Sequence, residues 1–481
     1  GEDFFMVASS FNHMPGIPVL HSKDLVNWRI VNHIYDKFPM ERFNKPCYGD
    51  CAWAPSIRYH DGFYWVFFGA PDEGIFMSKT KDPFGKWEPL VCVKEAKGWI
   101  DTCPFWDDDG NAYLVNAFAR SRIGFKHRIC ISRMKTDGTA LLDDGVYVYD
   151  NPEKHPTMEG PKMYKRNGYY YIFAPAGGVS TGWQTILRSK NIYGPYEDKI
   201  VLKQGPTDVN GPHQGGYVEL DSGESWFIHF QDKDAYGRII HLQPVRWVDD
   251  WPEMGVDIDG DGIGEPVSRY KKPDVGKTYS VMVPDTSDDF DGEKLGLQWQ
   301  WDANPQNSWY SLEARESHLR LFPVKEGKFG LNGAPNLLQQ KFPAPKFTAT
   351  ALLDVSGLKE GQKAGLAISG LDYSYIALVN TKEGMKLSQF TGTIREEREE
   401  QEIASTGLDL QGNIFLRVSV GEGAICSFSY SLDGEEFYPF GNEFKAHKGK
   451  WVGAKIGIFC LGDNDDSDNG YADYDFVLIE E

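Results

Sequence analysis

The chain has 481 residues, with 50 Lys and Arg against 70 Asp and Glu, a formal net charge of −20. That balance excludes partners needing a positive footprint, nucleic acid and anionic membrane surfaces, and fits a neutral ligand. The length exceeds what one core normally serves, so two domains are expected; an aromatic content of 14% favours strands.

Taken in chain order, residues 1 to about 265 repeat one phrase five times, at intervals of roughly fifty to sixty residues. Each copy has an aromatic pair in a strand-like run and then an apolar hairpin partner bounded by polar turns. The pairs are Phe4-Phe5, Tyr64-Trp65, Tyr113-Leu114, Tyr170-Tyr171 and Trp226-Phe227. Their partners include Ile17 to Ser22, Gly74 to Ser78, Ile129 to Ser132, Ile186 to Ser189 and Ile239 to Gln243. Repeats of this length built from short strands predict a β-propeller of five blades. Residue 1 falls in mid-pattern with no signal peptide, so an upstream piece is expected.

The segment DIDGDGIGE, Asp257 to Glu265, matches the first half of a calcium loop at Asp257, Asp259, Asp261 and Gly262. Position twelve is Ser268 where a Glu belongs, so a hydrated turn is the preferred reading. Residues 268–287 read as a linker. From about Asp288, alternating runs such as Phe347 to Leu353, Phe415 to Val420 and Phe476 to Ile479 predict an antiparallel β-sandwich. The acidic run Asp463 to Asp468 reads as a solvated loop, with a hard cation as the alternative. No stretch has sustained helical periodicity or the length of a membrane span. The predicted fold is all-β: a propeller over 1–267, a linker over 268–287 and a sandwich over 288–481.

Seven cysteines, an odd number without a dense framework, read as buried thiols. Cys47 and Cys51 have no second pair at zinc spacing. Four segments stand just ahead of an aromatic strand and converge on the propeller axis. They contain Trp53-Ala54-Pro55-Ser56, Asp101, Glu159 and Gly211-Pro212-His213-Gln214-Gly215. Asp101 lies in the apolar stretch Trp99 to Phe105, where a carboxylate needs a partner or a role. Glu159 precedes Gly160-Pro161 at a strand entry, where desolvation raises a carboxyl pKa; alone, it reads as an ordinary loop Glu.

The phrases SSFNHMPGIPVLHSKDLVNW, WAPSIRYHDGFYWVFFG, EGPKMYKRNGYYYIF, GPHQGGYVEL and GRIIHLQPVRW resemble glycoside hydrolase family 43. This is the family of five-bladed propeller β-xylosidases and α-L-arabinofuranosidases. DDFDGEKLGLQWQW and NGYADYDFVLIE resemble the concanavalin-like (jelly-roll) sandwich of one branch. The resemblance implies an inverting exo-glycosidase acting on terminal α-L-arabinofuranosyl or β-D-xylosyl units of plant polysaccharides or oligosaccharides. Alternatives are a non-catalytic carbohydrate-binding propeller and an endo-acting arabinanase or xylanase.

In that likeness Glu159 matches the general acid, and Asp101 the residue that orients it and raises its pKa. The general base would precede Gly1; Asp3 aligns with a polar turn and is rejected. Arg238 matches the arginine that reaches the sugar, and Trp53 and Phe11 wall the pocket. Trp183 and Gln184 line its rim. His213 matches an axial histidine, either near a calcium ion or water cluster or a structural hydrogen-bonder. No redox cofactor is implied; a calcium ion, if present, is structural or electrostatic. The substrate class implies a secreted or periplasmic setting.

Overall fold

The computed structural model describes residues 2–481 apart from Glu326, Lys328, Gln411 and residues 463–469, so the acidic run lies outside the described residues. Five antiparallel sheets build the first domain. The first has three strands, β1 (Phe4–Val7), β2 (Gly16–Ser22) and β3 (Arg29–Tyr35). The second has four: β4 (Ser56–His60), β5 (Phe63–Ala70), β6 (Gly74–Thr80) and β7 (Val91–Glu95). The third runs β8 (Trp99–Trp106), β9 (Ala112–Phe118), β10 (Arg128–Met134) and β11 (Val146–Asp150). The fourth runs β12 (Lys162–Arg166), β13 (Tyr169–Ala176), β14 (Trp183–Ser189) and β15 (Glu197–Leu202). The fifth runs β16 (His213–Glu219), β17 (Ser225–Asp232), β18 (Arg238–Val248) and β19 (Trp251–Met254).

The repeated aromatic pairs fall on β1, β5, β9, β13 and β17, the strands that anchor each blade. Alternation sends their large side chains to the faces between blades, where Trp65, Phe67, Ile75 and Leu114 form one cluster and Tyr171, Phe173, Ile186 and Phe227 another. Burying such side chains is worth about 1.5–3 kcal/mol each, so the inter-blade faces hold the ring together. β1 is only half-buried along its length, whereas β5 and β9 are mostly or fully buried.

The first strands β4, β8 and β12 pack side by side, and polar groups join them. Ser56 donates to the Thr102 carbonyl at 2.6 Å; Arg58 donates to Cys103 Sγ at 3.2 Å and to the Met163 carbonyl at 3.4 Å. Polar residues thus occupy the centre while apolar ones hold the blades.

The second domain is a β-sandwich of two eight-stranded sheets, with Trp299, Trp301, Leu366, Ile376, Leu416 and Ile458 in its core. All seven cysteines are free thiols. No helix among the described residues is long and apolar enough to cross a membrane. The domains interlock through Met14 and Trp301, which exchange backbone hydrogen bonds at 2.9 and 2.6 Å. Asn12 donates to the Asp302 carbonyl at 2.9 Å, and Asn304 donates to the Phe38 carbonyl at 2.9 Å. The loop carrying Phe11 is therefore held from both domains.

Candidate active site

Asp101 lies on β8, the strand just ahead of the aromatic β9. The register of β8 against β9 shifts between Ile100 and Cys103, leaving Asp101 in a bulge with φ of 57°. A bulge re-aims a side chain, and Asp tolerates the left-handed region. The side chain is buried, so its charge requires donors. Oδ2 accepts the Gly160 N–H at 2.8 Å and the Gln214 amide at 3.2 Å. Asp101 thereby fixes the peptide that follows Glu159. Gly160 has φ of 60°, and a Cβ there would lie 2.9 Å from Gln214 Cγ, so this contact demands glycine.

Glu159 precedes β12, its side chain 23% exposed, and its Oε1 lies 2.7 Å from His213 Nε2. His213 itself is fully buried, and its Nδ1 has no hydrogen-bond partner among the described residues.

The electrostatics differ from the sequence expectation. Burial, and after it the negative charge of Glu159, push the Asp101 carboxyl up to about 7. Burial pushes Glu159 upward too, but the hydrogen bond and charge of His213, with Arg238 and Lys126, bring it below its usual value. In the free protein the raised pKa thus belongs to Asp101 and not Glu159. The physical reason is the partner set: Asp101 has neutral donors, whereas Glu159 faces imidazole and guanidinium.

Arg238 opens β18 and stacks its guanidinium 4.6 Å from the Phe230 ring and 5.8 Å from that of Phe11. Its Nε is buried without a hydrogen-bond partner among the described residues, leaving a donor free for a ligand. Phe11 and Trp53 meet edge to face at 6.4 Å. A residue that the sequence reading missed completes this wall: Trp451 of the sandwich lies 6.0 Å from Trp53. Its approach depends on two glycines, since a Cβ on Gly453 would sit 2.7 Å from Gly237 N, and one on Gly237 would sit 2.9 Å from Gly453 N. Nothing local to Trp451 marks it, because Trp53, the ring it meets, comes from the other domain. Trp451→Ala is expected to raise KM about tenfold with little change in kcat, since the ring offers binding area away from the carboxylates. Steady-state kinetics checks this, and an unchanged KM would remove Trp451 from the site.

A cavity of about 880 Å³ runs beside β1, lined by Phe11, Lys162, Gln214, Arg238 and Trp451 among others. Asp101 and Glu159 are not in its wall. Gln214, bonded to Asp101, and Arg238, whose charge acts on both acids, join the two regions. Lys162 was also missed by the sequence reading; it is buried, and its ammonium has no hydrogen-bond partner among the described residues. Trp183 is half-buried and donates to His155 Nδ1 at 3.3 Å. Gln184 is fully buried, donating to the Thr185 carbonyl at 3.0 Å, so it is an interior residue and not a rim residue.

His213 belongs to no cluster of three or more metal-ligating side chains among the described residues; the single such cluster is Asp257, Asp259 and Glu265.

The sequence profile of glycosyl hydrolases family 43 matches residues 1–252, and that of the β-xylosidase C-terminal concanavalin A-like domain matches 287–480. A protein of Xylanibacter ruminicola is 42% identical over 472 residues, covering 96% of this chain and 83% of its own. A β-xylosidase of Formosa agariphila is 34% identical, covering 100% of this chain and 87% of its own. A non-reducing end α-L-arabinofuranosidase of Bacteroides ovatus is 28% identical, covering 82% of this chain and 75% of its own. Among solved structures, a bifunctional GH43-CE protein of Bacteroides eggerthii superposes with a TM-score of 0.87 at 28% identity; this chain is wholly covered and spans 61% of it. The fold is also that of a xylan β-1,4-xylosidase from Bacillus halodurans, with a TM-score of 0.87 at 23% identity, covering 100% of this chain and 96% of that one.

Proposed function

The chain belongs to glycosyl hydrolases family 43, and from that membership we propose that it is an inverting exo-glycosidase removing terminal α-L-arabinofuranosyl or β-D-xylosyl units. One observation carries the reading: buried Asp101 and partly exposed Glu159 lie within electrostatic reach of each other and of Arg238, whose guanidinium faces Phe11 in an aromatic wall shared with Trp53. Relatives named β-xylosidase and α-L-arabinofuranosidase support the choice of sugars.

In this mechanism Arg238 holds sugar hydroxyls with its planar fork, and Phe11, Trp53 and Trp451 exclude water around the ring. Glu159 gives its proton to the leaving oxygen. Below about pH 7 the free protein holds a proton on Asp101. A bound sugar that displaces water raises the energy of charge on Glu159 and draws that proton to it. Asp101 then becomes the anion, held by Gly160 and Gln214. An inverting displacement also requires a base acting on water across the ring. A calcium ion is needed for no step.

The test is product analysis of the full chain acting on linear and branched xylo- and arabino-oligosaccharides. Monosaccharide released from non-reducing ends, with inverted anomeric configuration on first appearance, is expected. A ladder of oligomers, or sugar binding without turnover, would overturn the exo-hydrolase reading.

A further inference from the structure

Among the described residues, the tightest acidic cluster lies away from Asp101 and Glu159, in the loop after β19. Asp257, Asp259 and Glu265 each bring a carboxylate oxygen within 4.8 Å of the others. The loop follows calcium-loop spacing at its first, third and fifth positions, yet position twelve holds Ser268. Folding supplies the missing acid from position nine. Val256 and Glu265 pair across the base of the loop, with hydrogen bonds of 3.0 and 2.9 Å, and this pairing turns Glu265 inward.

Glu265 is what distinguishes this cluster from a solvated acidic turn. It is fully buried. Its Oε2 accepts the Ile258 N–H at 2.7 Å, whereas its Oε1 is buried with no hydrogen-bond partner among the described residues. A carboxylate oxygen out of water and without a donor is costly. The cation recorded nearby is Lys203, whose ammonium pairs with Asp261, lies 3.4 Å from Asp259 and stays 3.9 Å from Glu265. That last distance is beyond hydrogen-bond reach. One ammonium thus faces three carboxylates, on a side chain 29% exposed and able to swing out.

We propose that Asp257, Asp259 and Glu265 bind one calcium ion, with Asp261 and Lys203 at its edge. All the ligand atoms are oxygens, which suits a hard cation over zinc. Several carboxylates converging on a flexible loop suit calcium over the smaller magnesium ion, which keeps more of its water. The ion would clasp the end of the fifth blade onto the fourth, because Gly264 already pairs with Leu202 beside it. The proposal concerns stability and is independent of which sugar is cleaved.

Chelator-treated full chain is titrated with CaCl₂ by calorimetry while its melting temperature is followed. The expected result is one ion per chain and a saturable rise in Tm. The Asp257→Asn/Asp259→Asn double variant, exposed and compatible with folding, is expected to bind about tenfold more weakly or worse. Glu265→Gln is expected to abolish the response; if that variant fails to fold, the double variant still decides. No heat and no Tm change at millimolar calcium would overturn the proposal. So would undiminished binding by the double variant, which would place the ion elsewhere, and an equal magnesium response would overturn the choice of calcium.

Discussion

Replacing Glu159 by Ala is expected to lower kcat/KM on a natural oligosaccharide by about 10²–10⁴-fold, the range that a positioned general acid supplies. A sugar leaving group departs as a high-energy alkoxide unless protonated, so the loss should lie toward the upper end. An aryl glycoside with an acidic phenol needs little protonation and should lose far less. Binding should survive, because Arg238, Phe11, Trp53 and Trp451 are untouched. The comparison of both substrate types by steady-state kinetics, with calorimetry of sugar binding, separates lost chemistry from lost fold. Near-normal turnover on the oligosaccharide would remove Glu159 from the role of acid.

Asp101→Asn is the second large effect. Asn keeps the left-handed backbone and an oxygen to accept the Gly160 N–H, and removes only the charge. We expect kcat to fall about 10²–10³-fold with a smaller change in KM, because the proton held by the pair is lost.

Stability should move the other way, with a defined pH dependence. Asp101 titrates near 7 in the fold and near its ordinary value of 3.8 unfolded. Between those values the native state binds a proton that the unfolded chain has released. The stability contributed by protonated Asp101 is therefore full below about pH 3.8 and is lost as pH rises through about 7. The Asn variant has no proton to lose. Its melting temperature should exceed that of the parent at pH 8, with the gain fading toward pH 4. A gain of equal size at both pH values would show that the charge of Asp101 is not its source.

How much of this was legible beforehand differs from residue to residue. The aromatic repeat pointed to the blades because alternation along a strand is local: Tyr171 or Phe227 carries its pattern whatever lies opposite. The same repeat served to align segments, so Asp101 and Glu159 stood out together. The bulge at Asp101 was not legible, nor was the inward position of Gln184. Both depend on strand register, which the partner strand decides.

What the sequence by itself determined is the order of strands and the two domains, since each is written in spacing along one stretch of chain. What only the tertiary structure decided is what the side chains meet. Asp101 finds Gly160 and Gln214, 59 and 113 positions away, whereas Glu159 finds His213, 54 positions away. Trp451 reaches the pocket from the other domain, and Glu265 turns into the loop that Ser268 left short of an acid. The reason is that a pKa, a pocket wall or an ion site depends on distance in space and the water excluded from it. A linear pattern carries neither quantity until the chain has folded.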